Sequence, residues 1–263
     1  MDLGISGRIG LVAASGRGLG KATAERLAME GVQVAICDKD ESVLDLARSQ
    51  VEAASKGGKV CAYNVDLTNE SEIEQLIDNI HQDLGLISIL VTNSGGPPAG
   101  DFVEATDEKW FHAYQLTFLS CVRLIRLTLP DMKAQKWGRI INFTSRALKE
   151  PIPGLIISNA VRLAVAGMAK TLASEVAEFS ITVNNICPGP TSTERAIELA
   201  SRRARKKGIS LEEELTQTAN NIPMGRLARP EEPASAAAFL ASELAGYITG
   251  ISILVDGGAV RAL

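Results

Sequence analysis

Seven short runs rich in β-branched and aliphatic residues alternate with helical periods from one end of the chain to the other. The runs are 9–13, 32–37, 59–63, 88–92, 138–143, 182–186 and 251–255. Several contain near-continuous apolar stretches (Val34-Ala35-Ile36, Ile140-Ile141), as expected of strands covered on both faces. The clearest helical period is Ile73, Leu76, Ile77, Ile80 and Leu84, behind a cap at Thr68 or Asn69. Strand–helix alternation of this kind predicts right-handed crossovers and an α/β, doubly wound, seven-stranded parallel sheet with helices on both faces. No internal repeat or low-complexity linker divides the chain, so 1–263 reads as a single domain. One region breaks the rhythm. Residues 188–230 hold two short helical stretches and a charge cluster between the sixth and seventh strands. An excursion of that length beyond a strand's carboxyl end reads as a lid or substrate segment.

Composition narrows the function classes. With 46% apolar and 22% charged residues the chain is neither disordered nor fibrous. No apolar run approaches the ~20 residues of a membrane span, and no basic, then greasy, leader opens the sequence. Cys37, Cys61, Cys121 and Cys187 are far apart with no CxxC pair, which suits reduced thiols in a cytoplasmic protein. A net charge of −4 and 4% aromatics argue against nucleic-acid binding. The expectation is a small-molecule protein with no nucleic-acid or membrane partner.

The first strand runs into Ala13-Ala14-Ser15-Gly16-Arg17-Gly18-Leu19-Gly20, with a helix expected from about Lys21. Such a turn lets main-chain N–H groups of residues 15–20 approach a pyrophosphate at a helix N-terminus, the signature of a Rossmann-type fold. The plainer reading is a tight structural turn. Asp38 stands 18 residues beyond Gly20, at the end of the second strand. There it would accept hydrogen bonds from an adenosine ribose diol; alternatively it caps the helix that follows. A carboxylate at that place repels a 2′-phosphate, whereas Arg17 would attract one. The carboxylate weighs more, so NAD is preferred over NADP.

Further strings add to this: Asp66-Leu67-Thr68, Thr92-Asn93-Ser94-Gly95, 138–145 (GRIINFTS), Ile181-Thr182-Val183-Asn184, Pro188-Gly189, Pro223-Met224-Gly225-Arg226 and Val255-Asp256-Gly257-Gly258. With the glycine-rich turn they resemble the short-chain dehydrogenase/reductase family over essentially the whole chain, above all its 3-oxoacyl-acyl-carrier-protein reductase branch. The resemblance implies one Rossmann domain, a homotetramer (or dimer), NAD or NADP as cofactor, and an alcohol, ketone or acyl thioester as substrate. It also implies that Asp66 and Leu67 hold the adenine and that Asn93 and Gly95 line the cofactor. Pro188, Gly189, Thr191 and Thr193 would sit by the nicotinamide.

The same resemblance exposes departures. The family's catalytic set is Asn, Ser, Tyr and Lys, the last two four residues apart on one helix. Here Ser145 matches the serine, Ser158 stands in the tyrosine position, Arg162 in the lysine position and Thr117 in the asparagine position. Ala14 replaces the first glycine of the phosphate turn. A serine hydroxyl is a far weaker acid than a phenol, and arginine cannot release a proton near neutrality. Arg162 could still fork to a ribose diol or a substrate carboxylate. Lys149, if partly desolvated, is a further substrate-side candidate; otherwise it is a solvated loop lysine.

The remaining features point less far. His81 and His112 read as surface residues without metal-ligand spacing, and no metal site is expected. No nucleophile elbow suggests a hydrolase. The basic run Arg202-Arg203-Ala204-Arg205-Lys206-Lys207 is a solvated helix face paired with Glu212, Glu213 and Glu214, or else a lure for an anionic substrate. Three functions compete: a short-chain oxidoreductase with a reorganised acid–base set, a non-redox enzyme on the same scaffold, and a cofactor-binding protein with little turnover.

Overall fold

The computed structural model describes residues 2–262. Its strands are β1 (Ile9–Val12), β2 (Gln33–Asp38), β3 (Val60–Asn64), β4 (Ile89–Thr92), β5 (Gly138–Phe143), β6 (Ile181–Pro188) and β7 (Ser252–Val255). They form one seven-stranded, all-parallel sheet in the order β3-β2-β1-β4-β5-β6-β7. Each expected strand is present within a residue or two. β6 runs further than expected because Cys187 and Pro188 still pair with Leu254 and Val255.

Side chains alternate between the two sheet faces, as the pleat requires. On one face Val12, Val34, Ile36, Val91 and Ile141 pack under α1 (Gly18–Met29), α2 (Glu41–Ala54) and α9 (Glu231–Leu240). On the other, Leu11, Ala35, Leu90, Ile140 and Val183 pack under α3 (Glu70–Asp83), α5 (Ser120–Gln135) and α6 (Ile156–Val176). The Ile73, Leu76, Ile77 and Ile80 stripe of α3 is buried there, behind Asn69, whose side chain accepts from the Ser71 N–H at 3.1 Å.

Contrary to the reading that no apolar run approaches spanning length, residues Ile156–Phe179 are long and apolar enough, at mean hydropathy 1.2. Their inner stripe of Val165, Ala169, Ala173 and Val176 is part of the second core, which accounts for that hydropathy. His81 also differs from expectation. It is half-buried, with Nε2 2.7 Å from an Asp131 Oδ2 that also accepts the Ile87 N–H at 3.0 Å. His112 is exposed, as expected.

Strand order reverses between β1 and β4. In a doubly wound sheet this switch point opens a crevice at the strands' carboxyl ends. Four segments overhang it: the loop after β4, the short helix α4 (Asp107–Ala113) with the π-helical turn Tyr114–Leu119 that follows, the turn after β5, and the excursion after β6. That excursion forms α7 (Glu194–Lys207) and α8 (Leu211–Asn220), the two helical stretches expected in 188–230. α8 opens on a capping box between Ser210 and Glu213.

Candidate functional site

The glycine-rich turn is built by close packing at three points. Ala14, which stands in place of the first glycine, has φ +47°, a left-handed conformation that an L side chain strains to adopt. Its carbonyl accepts from Asn93 Nδ2 at 3.1 Å and lies so near Gly20 that a Cβ there would stand 2.2 Å from it. Gly18 has φ +57°. The helix begins at Gly18, three residues earlier than expected. Its N-cap, Arg17, makes no side-chain cap, and no acidic residue lies in the first turn. The first-turn N–H groups are therefore left without a side-chain cap or a carboxylate opposing the helix dipole.

Two residues of the turn are bonded internally. Ser15 is fully buried and offers no free donor. Its O–H donates to Val12 O at 2.7 Å, its Oγ accepts from the Cys37 N–H, and its own N–H goes to Cys37 O at 2.9 Å, stapling β1 to β2. The Gly16 N–H is likewise spent, on Asp38 Oδ2 at 3.0 Å. Asp38 is no helix cap: Asp40 caps α2, accepting from the Ser42 N–H, while Asp38 accepts from the Asp40 N–H at 3.1 Å. Asp38 itself is half-buried between turn and β2. Arg17 pairs with Asp40, so the cation set against it is neutralised locally.

The flanking positions are well ordered by internal bonds. Asp66 accepts from both the N–H and the hydroxyl of Thr68, each at 2.8 Å. Burial pushes its carboxyl up, but those bonds outweigh burial and hold it below the usual range. Leu67 is buried in the second core. Gly95 is exposed, and a Cβ there would meet only Leu116, at 3.8 Å. Beyond β6, Gly189 packs so tightly that a Cβ would stand 2.6 Å from Asp256 Cα. Thr191 donates to Gly189 O at 3.0 Å, and the Thr193 hydroxyl caps α7 by accepting from the Ala196 N–H at 3.2 Å. Beside Thr193 and Gly18 a cavity of about 230 Å³ separates the first turn of α1 from the excursion.

At the carboxyl end of β5 the altered catalytic positions converge. Ser145 Oγ accepts from the Ala147 N–H at 3.1 Å, in a turn that packs against α6. Ser158 and Arg162 share one face of α6, and Arg162 Nε donates to Ser158 Oγ at 3.2 Å. Arg162 Nη1 donates to Phe143 O at 3.0 Å and Thr144 O at 2.9 Å. Burial, then the like charge of Arg195, push this guanidinium down to about 10, so it stays cationic at neutral pH. Thr117 lies in the π-helical turn against α6, buried, with its hydroxyl unpartnered. Such turns recur at functional sites, and an orphaned hydroxyl there is a seat for water or ligand. Lys149 is exposed but close enough to Cys187 to favour its thiolate; burial dominates and keeps that thiol raised.

Arg195 escaped the sequence reading because it belongs to no motif. From α7 its Nη2 donates to Pro97 O in the β4 loop at 2.7 Å, and Lys206 approaches Asp101 at 3.8 Å, so two contacts strap the excursion across the crevice. The basic run is otherwise structural. Arg203 and Lys207 both hold Glu214, which is buried, while Glu213 serves the capping box instead of the run. Burial pushes Glu214 up, yet the two cations hold it below the usual range.

A doubly wound parallel sheet with an uncapped glycine turn at its switch point defines a dinucleotide-binding class of protein. Comparison with known proteins makes this specific. Residues 13–260 match the family model described as enoyl-(acyl carrier protein) reductase. The chain is 35% identical to the 3-oxoacyl-[acyl-carrier-protein] reductase of Haemophilus influenzae, over 97% of this chain and 98% of that one. It is 30% identical to the D-beta-hydroxybutyrate dehydrogenase of Cupriavidus necator, over 97% and 99%. Among solved structures, L-sorbose reductase from Gluconobacter frateurii, complexed with NADPH and L-sorbose, superposes with a TM-score of 0.94 at 32% identity, over 100% of both chains. The chain belongs to the short-chain dehydrogenase/reductase family.

Proposed function

We propose that the protein interconverts an alcohol and a carbonyl with a nicotinamide dinucleotide, through a reorganised proton-handling set. The carrying observation is the joint arrangement of an uncapped glycine turn at β1 and, at the β5 exit, a serine–arginine couple fixed by main-chain carbonyls. The residues present fit the cofactor. The first turn of α1 would hold the pyrophosphate, Asp38 the adenosine ribose, Asp66 and Leu67 the adenine. Asn93, Gly95, Pro188, Gly189, Thr191 and Thr193 would border the nicotinamide half. When bound, the nicotinamide supplies or accepts the hydride.

The chain's own residues handle the oxygen. Ser145 and Ser158 donate hydrogen bonds to the substrate oxygen, Ser158 being pre-aligned because its lone pair is taken by Arg162 Nε. Arg162 stabilises developing negative charge but holds its proton. A serine hydroxyl is too weak an acid to supply the final proton alone, so it passes along from water, for which the orphaned Thr117 hydroxyl is a seat. Turnover is therefore slower than a tyrosine at residue 158 would give. The strapped excursion 188–230 acts as a lid over the site.

Asp38, with Arg17 neutralised by Asp40, supports NAD over NADP. The NADPH in the sorbose reductase complex favours the other choice for this chain. Four free cysteines support work in the cytoplasm. Exposed Phe102, Val103, Phe111 and Leu163 support a homotetramer or dimer.

Fluorescence titration with NADH and NADPH, followed by a panel of alcohols, ketones and acyl thioesters, tests the reading. Tighter binding of NADH and measurable carbonyl reduction are expected. Binding without turnover would favour the cofactor-binding alternative that the weak acidity of Ser158 keeps open. Binding of neither dinucleotide would refute both.

A further inference from the structure

The charge balance where β4 and β5 end is lopsided. Arg162 reaches the β5 exit and spends Nη1 and Nε on two carbonyls and one hydroxyl, none of them on a carboxylate. Its Nη2 makes no hydrogen bond among the described residues, yet it is not among the polar atoms sealed from solvent. Arg195 reaches the neighbouring exit from α7. Its Nη2 is held by Pro97 O, Nη1 by Glu198 at 2.7 Å, and its guanidinium lies against Gly96, where a Cβ would stand 3.2 Å from Nε. β4 and β5 are adjacent, Thr92 opposite Asn142, so the two guanidiniums are anchored at neighbouring strand exits. They are near enough that Arg195 disfavours the charged form of Arg162.

Glu198 answers the charge of Arg195 from one side, whereas Arg162 has no carboxylate partner, so a second anion joining the two guanidiniums would offset the charge that burial leaves unpaired. Each guanidinium is oriented by a main-chain carbonyl and keeps spare N–H donors. Planar forks so arranged match the paired oxygens of a carboxylate better than those of a neutral ester or amide. Arg162 sits beside Ser158, so the anion would lie next to the reacting oxygen. Arg195 rides on the overhanging helix, so the same anion would draw that helix down.

We propose that the substrate is an oxo acid or the corresponding hydroxy acid, its carboxylate docked between Arg162 and Arg195. This rests on the oxidoreductase reading and adds to it the class of substrate. The phosphates of a dinucleotide share the charge, but the vacant donors for them lie at β1, on the other side of β4.

The test is calorimetric titration of the full chain, with and without NADH, using pyruvate, acetoacetate and levulinate and the methyl ester of each. At least one acid is expected to bind ten-fold or more tightly than its ester, about what charge-assisted hydrogen bonds contribute. Arg195→Gln, which can still donate to Pro97 O, should cancel that preference, and Arg195→Lys should restore part of it. The affinity for NADH should change by less than about two-fold, well under one lost contact. Equal binding of every acid and its ester would overturn the proposal, as would a preference that survives Arg195→Gln. So would an Arg195→Gln variant that loses NADH and keeps the acid, since the cations would then serve phosphate. Failure of both NADH and NADPH to bind the unaltered protein would remove the oxidoreductase reading, while the acid-versus-ester comparison without dinucleotide still decides the anion site.

Discussion

Ala14→Gly isolates the strain built into the dinucleotide turn. Ala14 is held at φ +47° because its carbonyl is fixed by Asn93 Nδ2 and crowded by Gly20. A left-handed residue with a Cβ costs roughly 1–2 kcal/mol. Glycine removes that cost but gives back about 0.4–1 kcal/mol through the freer unfolded chain. The net expectation is stabilisation of about 0.5–1 kcal/mol. For a chain of this length that raises Tm by about 1–4 °C. Urea unfolding followed by circular dichroism measures it, at one protein concentration for all variants. Ala13→Gly is the control: its neighbour is fully buried with no positive φ, so the same chemical change should destabilise by about 1 kcal/mol. Equal destabilisation by both changes would refute the assignment of strain to residue 14.

Gly20→Ala should be severe: its Cβ would meet Ala14 O at 2.2 Å and Ser15 Cα at 2.8 Å, both main chain, so the turn must open. Destabilisation of about 3 kcal/mol or more, with loss of fluorescence enhancement on NADH addition, is the outcome to look for. Ser158→Tyr with Arg162→Lys should raise carbonyl reduction by about ten-fold or more by restoring a phenolic acid, read as initial rates at saturating NADH; no gain would mean that the scaffold does not align the carbonyl. Native protein should show one fast thiol, Cys61, towards Ellman's reagent, and four after unfolding in guanidinium, because the other three are buried. Burial pushes Cys37 and Cys121 from 9.0 up to about 12, so their unfolded forms ionise first. Stability should accordingly be intact below pH 9 and decline as pH rises towards 12; a flat profile across that window would contradict the burial of these thiols.

Periodicity was enough for the sheet, because strands buried on both faces must be written as apolar runs and amphipathic helices must show their stripe. It was not enough for partners in space. Asp38 could be placed at the end of β2, but that its carboxylate holds the Gly16 N–H and leaves capping to Asp40 depends on how closely turn and strand approach. Ser15 looked available because glycine-rich turns expose their donors, whereas the β1–β2 staple consumes them. Ser158 and Arg162 were legible as a pair from their i, i+4 spacing; that Arg162 reaches back to the carbonyls of Phe143 and Thr144 was not. Arg195 left no local signal at all, since its significance comes from Pro97, almost a hundred residues away along the chain.

The π-helical turn at Tyr114–Leu119 has a consequence for how this region tolerates change. A wide turn absorbs one residue more than an α-turn, so it sets the two halves of a long helix about 100° out of phase. The downstream half keeps Leu124 and Thr128 against the sheet, while the upstream half turns Ala113 onto Ile157 and Val161. Deleting a single residue between 114 and 119 would bring the halves into one phase and rotate Ala113 off that contact, leaving the sheet side untouched. The segment above the crevice can thus be re-aimed by a one-residue edit that a regular helix would transmit to the core.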